Sequence, residues 1–283
     1  MICDSHCHFF SSRFFETLKP GMDPVAALGW DAPGTSEELS DRWVLELDRC
    51  GVSRAALMSS VPFDEASVAA AVARHPSRFV GYFMMDPTHP DAVTRVVEIL
   101  ERPGMRVPCL FPAMQHYSLH DDRVMRVIQA ASAHSAAAVF VHCGVLSVGV
   151  RKKLGLPSNF DISQGNPLDL HHAALAFPKL PFIIPHFGAG MFREALMVAD
   201  ACPNVLLDTS SSNGWIRYHP GLTLEAVFKQ ALEVAGPDRL LFGTDSSFFP
   251  RGWQRAVYER QMALVPAEAA DRVFSANFNR VFS

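Results

Sequence analysis

The chain predicts a single α/β domain of the (β/α)8, or TIM-barrel, class, on three observations. Eight short apolar runs alternate with amphipathic segments at roughly 30-residue spacing, the period of parallel βαβ units. The chain has 283 residues, which accommodates eight such units as one domain over 1–283. No Gly-x-Gly-x-x-Gly or Walker-type loop follows any strand, which argues against a doubly wound open sheet.

In order, residues 2–3 read as a first strand, entering Asp4-Ser5-His6-Cys7-His8. Residues 9–36 are broken by Gly21, Pro24, Gly29, Pro33 and Gly34 and read as a long loop over the barrel mouth. A helix is expected over 36–50, with Glu37 and Glu38 in its first turn, an apolar face of Leu39, Trp43, Leu45 and Leu47, and Gly51 at its end. Strands follow at 54–59, 79–85, 105–111, 138–142, 181–185, 205–208 and 239–242. Helices separate them at 64–75, 91–101, 121–134, 167–176, 192–201 and 223–235, with two more at 254–264 and 267–274. Residues 144–166 form a second long loop over the site.

Composition narrows the partners. At 49% hydrophobic and 19% charged, the chain can bury a substantial core. A formal net charge of −4 gives no reason to expect nucleic acid or an anionic membrane surface. No apolar run is long enough for a transmembrane helix. The first residues lack a basic segment followed by an apolar one, so the expected compartment is the cytoplasm. Six cysteines without a Cys-x-x-Cys pair read as small buried hydrophobes, not a disulfide framework.

The chemistry sits at strand ends. His6 and His8, one residue apart on a strand, face the same side and can share one ion. His142 ends Phe140-Val141-His142, His186 ends Ile183-Ile184-Pro185-His186, and Asp245 ends Phe242-Gly243-Thr244-Asp245. In a barrel of this class, catalytic groups gather at the C-terminal ends of the strands. The other eight histidines fall on helices and loops.

These stretches resemble the amidohydrolase superfamily, and within it the amidohydrolase-2 branch that includes aminocarboxymuconate-semialdehyde decarboxylase. The similarity extends through Gly165-Asn166-Pro167-Leu168-Asp169-Leu170, Asn204-Val205-Leu206-Leu207-Asp208-Thr209-Ser210 and Ala276-Asn277-Phe278-Asn279-Arg280-Val281-Phe282. The resemblance implies that His6, His8, His142 and Asp245 hold one divalent metal, zinc first, with manganese or iron as alternatives. It implies a catalytic role for His186 and Asp245 in moving protons. Related sequences carry lysine where Cys109 stands, and the fourth strand offers neither lysine nor glutamate, so one metal is expected and Cys109 is read as a buried thiol.

Phe9, Phe63, Gln115, Asn213 and Trp215, with Phe10, Pro62 and Phe248, lie just beyond strand ends and are candidate substrate contacts. Arg13, Arg151 and Arg217 are candidate carboxylate clamps. The leading reading is a metal-dependent hydrolase cleaving an amide, ester or lactone of a small organic acid through a metal-activated water. The alternative is non-oxidative decarboxylation of an aromatic or unsaturated acid. A third is a metal-binding barrel without turnover. An aromatic pocket with a cationic clamp would favour decarboxylation over hydrolysis. The resemblance also implies a homodimer.

Overall fold

The computed structural model describes residues 1–18, 21 and 23–283. One parallel sheet of nine strands carries the fold, in the order β8-β7-β6-β5-β4-β3-β2-β1-β9. The strands are β1 (Cys3–Phe9), β2 (Arg54–Ser59), β3 (Phe79–Met84), β4 (Met105–Leu110), β5 (Val139–Val141), β6 (Phe182–Ile184), β7 (Val205–Asp208), β8 (Leu240–Leu241) and β9 (Ser246–Ser247). The expected alternation is present, and the architecture is that of a TIM barrel.

Closure of the barrel was not legible in the apolar pattern. β8 pairs with β7, whereas β9, a few residues later, pairs with β1. Between them, Ser5 N donates to Phe242 O at 2.8 Å and Asp245 N donates to His6 O at 2.9 Å. One irregular strand over 240–247 therefore seals the sheet in two steps. β1 itself runs through the polar His-Cys-His stretch instead of stopping at residue 3, because its main chain pairs with β2 as far as Phe9.

Two apolar layers hold the sheet. Met58, Val80, Tyr82, Val107, Cys109, Phe140, Ile183, Leu206 and Leu241 fill the barrel interior. The opposite faces of the strands pack on the surrounding helices through residues such as Leu57, Phe79, Phe83, Val141 and Leu207. This alternation is the period of two expected of strands covered on both faces. The final helix, Asn277–Phe282, extends beyond the expected tail helices and places Phe278 and Phe282 in the interior cluster. Asn279 accepts from Arg54 at the start of β2, so this helix plugs the N-terminal end of the barrel.

Helix Ser36–Cys50 begins with a capping box between Thr35 and Glu38 and ends at a left-handed Gly51. Leu39, Trp43 and Leu47 are buried, but Leu45 is 70% exposed. At i+2 from Trp43 it lies far round the helix from the 39/43/47 stripe. The two expected loops carry short helices. Ser12–Leu18 and Pro24–Leu28 lie within 9–36, part of which (residues 19, 20 and 22) falls outside the described residues. Gly149–Lys153 and a 3-10 turn at Ile162–Gly165 lie within 144–166. Among the described residues no helix is long and apolar enough to cross a membrane, and all six cysteines are buried and free.

Candidate metal centre

β1 carries the base of the site. His6 and His8 leave one face of the strand, while Cys7 and Phe9 on the other pack towards the helices. Asp4 explains why an acid precedes them. Wholly buried, its carboxylate accepts from His6 N (2.9 Å), Thr244 N (3.1 Å), Thr244 Oγ1 (2.6 Å) and Trp253 Nε1 (2.7 Å). Those bonds tie β1 to the segment that presents Asp245. Burial pushes the Asp4 carboxyl up from its ordinary range, against the pull of its four donors.

The later strands contribute groups from irregular backbone. His142 follows β5, and His186 sits in the tight turn Pro185–Gly188 that ends β6. His186 (φ 55°) and Asp245 (φ 62°) both adopt the left-handed conformation. Such residues cost about 1–3 kcal/mol each and persist only where their surroundings over-determine them. Two glycines permit the crowding. A Cβ on Gly243 would stand 2.9 Å from both His6 Cβ and Ser210 Cβ, and one on Gly144 would stand 2.1 Å from Gly188 O. Backbone that close excludes any side chain at Gly144.

His6, His186 and Asp245 each bring a ligand atom within 4.8 Å of the others. Asp245 Oδ1 lies 3.1 Å from His8 Nε2 and 3.6 Å from His6 Nε2. The His142 ring centre is 5.4 Å from that of His186, which is 5.0 Å from that of His6. The structure thus gathers all five expected residues at one place, with His186 in the tightest group.

Electrostatics favours the ligand form of His142, His186 and Asp245. Burial, then the neighbouring His186 and His6, hold His142 well below the usual imidazole range. Burial lowers His186 as well. Burial also opposes charge on His6, but Asp208 and then Asp245 outweigh it and raise its pKa. Burial works against ionised Asp245, yet the His8 hydrogen bond and the fields of His186 and His6 keep it far below the carboxylate range. Neutral His142 and His186 beside ionised Asp245 are donors of the kind that a divalent cation such as zinc or manganese takes. His142 Nδ1 is buried with no hydrogen-bond partner, an orphan that such a site would explain.

Behind the ligands stand residues that the motif search did not single out. His6 Nδ1 is 2.7 Å from Asp208 Oδ2, and His8 Nδ1 is 2.8 Å from Ser60 Oγ. A carboxylate behind a ligating imidazole fixes its tautomer and raises its basicity. The signal was there: β7 was the one late strand whose end, an acid, had been given no role. Cys109 is buried, which pushes its thiol well up, and its sulfur donates to Val107 O at 3.5 Å.

The centre opens into a cavity of about 500 Å³. Its walls include Phe10, Phe14, Trp30, Phe111, Trp215 and Phe249, and Lys153 and Arg217 lie on its exposed rim. Asp245 is the one acid among the described lining residues. Lys153 Nζ rests 5.2 Å from the Trp30 ring centre, joining the two long loops, and Arg217 donates to the Tyr218 hydroxyl at 3.0 Å.

Of the expected substrate contacts, Trp215 and Phe10 line this cavity; Phe9, Phe63, Gln115, Asn213, Pro62 and Phe248 do not. Phe9 is fully buried because strand alternation sends it to the helix side. Phe63 turns outward, with Arg95 4.7 Å above its ring. Gln115 buries an unpartnered Oε1 in the short helix Pro112–Gln115. Phe248 packs 5.6 Å from Trp43. Asn213 acts on the site indirectly, accepting from Trp215 Nε1 at 2.9 Å while donating to Thr209 O. Among the arginines only Arg217 reaches the cavity; Arg151 donates to Pro157 O instead, and Arg13 is on no wall.

Comparison with known proteins gives a consistent picture. An amidohydrolase family model matches residues 3–283. Protein fluG of Emericella nidulans is 30% identical over 97 residues, which span 34% of this chain and 11% of that protein. An uncharacterised TIM-barrel protein from Bordetella bronchiseptica superposes with a TM-score of 0.71 at 21% identity, covering 99% of this chain and 97% of the other. An amidohydrolase from Burkholderia multivorans with bound zinc gives 0.67 at 15% identity, covering 100% and 99%. The 5-carboxyvanillate decarboxylase of Novosphingobium aromaticivorans, complexed with manganese and a nitrobenzoic acid, gives 0.67 at 15% identity, covering 100% and 96%. At these identities the superpositions speak for the fold alone.

Proposed function

Since the chain belongs to the amidohydrolase family, we propose that it is a metal-dependent carboxy-lyase acting on an aromatic or unsaturated acid. This reverses the order of the two readings that the sequence suggested. One observation carries the change: the cavity over His6, His186 and Asp245 is lined by seven aromatic side chains among the described residues, Tyr218 included, and rimmed by Lys153 and Arg217. Flat apolar walls suit a planar π-system, and a cationic rim suits its carboxylate or a second anionic group. The relatives with known names divide between the two chemistries, since decarboxylases and hydrolases share this fold.

In this reading His6, His8, His142, His186 and Asp245 are the donors available to one divalent ion, zinc or manganese. When bound, such an ion polarises substrate oxygens and stabilises the charge that develops on them. The chain's own residues do the rest. Trp215 and Phe111 confine the ring, Arg217 and Lys153 orient the acid, and the apolar walls exclude water. Loss of carbon dioxide leaves an electron pair on carbon that must take a proton, and His186, once it has itself taken up a proton, is placed to deliver it. Hydrolysis remains the second reading because neutral, buried His186 beside Asp245 is also a base of the kind that activates water.

The experiment loads the purified protein with zinc or manganese and offers aromatic acids labelled with 13C at the carboxyl, together with lactones and esters, in 18O-water or D2O. The proposal expects release of 13C-bicarbonate and one deuterium on the product ring. Incorporation of 18O into a product acid supports hydrolysis instead. Metal uptake without turnover of either panel contradicts both.

A further inference from the structure

Helix Arg255–Met262 has a polar amide, that of Gln261, as its one wholly buried side chain. Gln261 reaches main chain just past the ends of β7 and β8, where strand pairing has stopped. Its Nε2 donates to Thr209 O at 2.9 Å and to Gly243 O at 3.3 Å, and its Oε1 accepts from Thr209 Oγ1 at 2.6 Å. Thr209 O accepts a second bond, from Asn213 Nδ2 at 3.2 Å, and the same amide donates to Ser211 O at 3.3 Å. Asn213 Oδ1 in turn accepts from Trp215 Nε1 at 2.9 Å. The chain of bonds ends on the cavity, which Trp215 lines and which neither Asn213 nor Gln261 reaches.

Each donor in this chain meets an acceptor. Both amide nitrogens face two carbonyls, which only accept, and both amide oxygens face a group with a hydrogen to give. Turning either amide over would set its oxygen against two carbonyl oxygens, so each has one orientation. A buried polar chain in which every member is satisfied rigidifies the groups it joins. Phe192 and His219 complete the cage, with ring centres 5.7 and 5.8 Å from that of Trp215.

We propose that Asn213 and Gln261 are positioning residues that hold the Trp215 indole as a fixed flat wall, and that this wall makes the cavity select a planar aromatic acid over a puckered one of similar size and equal charge. A ring free to turn accommodates either shape, whereas a fixed one stacks only on a flat partner. The choice of ligand rests on the carboxy-lyase reading above; the hydrogen bonds that hold the ring do not.

The test pairs a signal from the ring with a binding preference. Indole N–H resonances are recorded in 1H–15N spectra, with that of Trp215 assigned by its loss in Trp215→Phe. Trp43 Nε1, buried without a partner, and Trp253 Nε1, which donates to Asp4 Oδ2, serve as references for the unbonded and bonded states. Asn213→Gly removes the acceptor yet suits the left-handed backbone there (φ 51°), and Gln261→Leu breaks the chain at its other end. In both variants the Trp215 signal is expected to move upfield while the two references stay. Affinities for benzoate and cyclohexanecarboxylate are then measured by calorimetry on protein purified without chelators. Wild type is expected to prefer benzoate about tenfold, and the variants about twofold or less. An unmoved Trp215 signal in Asn213→Gly overturns the proposal, as does a displaced signal with the full wild-type preference retained. An unmoved signal in Gln261→Leu removes Gln261 from it. A wild type without the preference contradicts selection by the wall and the aromatic-acid reading together, while the indole signals separately decide whether the amides hold the ring.

Discussion

The two halves of the barrel are built differently. β1 to β4 run six or seven residues each, in continuous register apart from one shift in β1 and one between β3 and β4. β5 to β9 run two to four residues and break into tight turns. Six of the eight left-handed non-glycine residues described, His186, Phe187, Ala189, Ser211, Asn213 and Asp245, lie in that second half. The regular half is organised for packing, and the irregular half aims side chains. The candidate metal centre lies where they meet, with His6 and His8 from a long strand facing His142, His186 and Asp245 from short ones.

The sharpest way to break this contrast is to remove an aimed group. Asp245→Asn should lower turnover by about 10²–10⁴-fold, measured as carbon dioxide release, while far-UV circular dichroism stays as in wild type. Removing packing from the regular half should do the reverse. Phe83 is fully buried in β3, and Phe83→Ala should cost about 3–5 kcal/mol in urea unfolding while leaving zinc stoichiometry unchanged.

A subtler test acts behind the ligands. Asp208→Asn keeps the shape next to His6 but loses the charge, and should weaken zinc binding about 10–100-fold in competition titrations. Strain offers a pair of opposite sign. Ala189 sits at φ 44°, so Ala189→Gly should stabilise by about 1 kcal/mol, whereas Ala56→Gly in regular β2 should destabilise by about as much. Equal signs would show that the irregular half is not strained.

The smallest effect belongs to a helix of the regular half. Asp121 caps helix Asp122–Ser132, accepting from Arg123 N, and the side chain and backbone of Arg123 hold its carboxyl down at about 2. Because the folded value lies below the unfolded one, its contribution is present above about pH 4 and is lost as pH falls through about 2. Asp121→Ala should therefore cost roughly 0.5 kcal/mol at neutral pH, solvent screening included, and progressively less as pH falls through about 2.

The same contrast governs what could be read in advance. Strands β2 and β7 match the residues expected, because unbroken apolar runs bounded by turns leave little choice. β9 was invisible: Ser246-Ser247 carries no apolar signal and is a strand only because β1 lies beside it. The five candidate site residues could be picked out because His and Asp at strand ends are chemically conspicuous. Asp208 was half legible, as an acid at a strand end, but only its distance to His6 gives it a role. The cavity wall was read least well. Trp30 and Lys153 come from different loops and meet only in three dimensions, and Phe9 was misplaced because β1 extends far enough to turn it to the helix side.

The most direct test of the central claim is metal content, by inductively coupled plasma mass spectrometry, of protein purified without chelators or reconstituted with zinc or manganese. The account predicts about one equivalent per chain in wild type, lost in both His6→Ala and Asp245→Asn. Absence of metal after reconstitution, or one equivalent retained in both variants, would contradict a centre built on these residues.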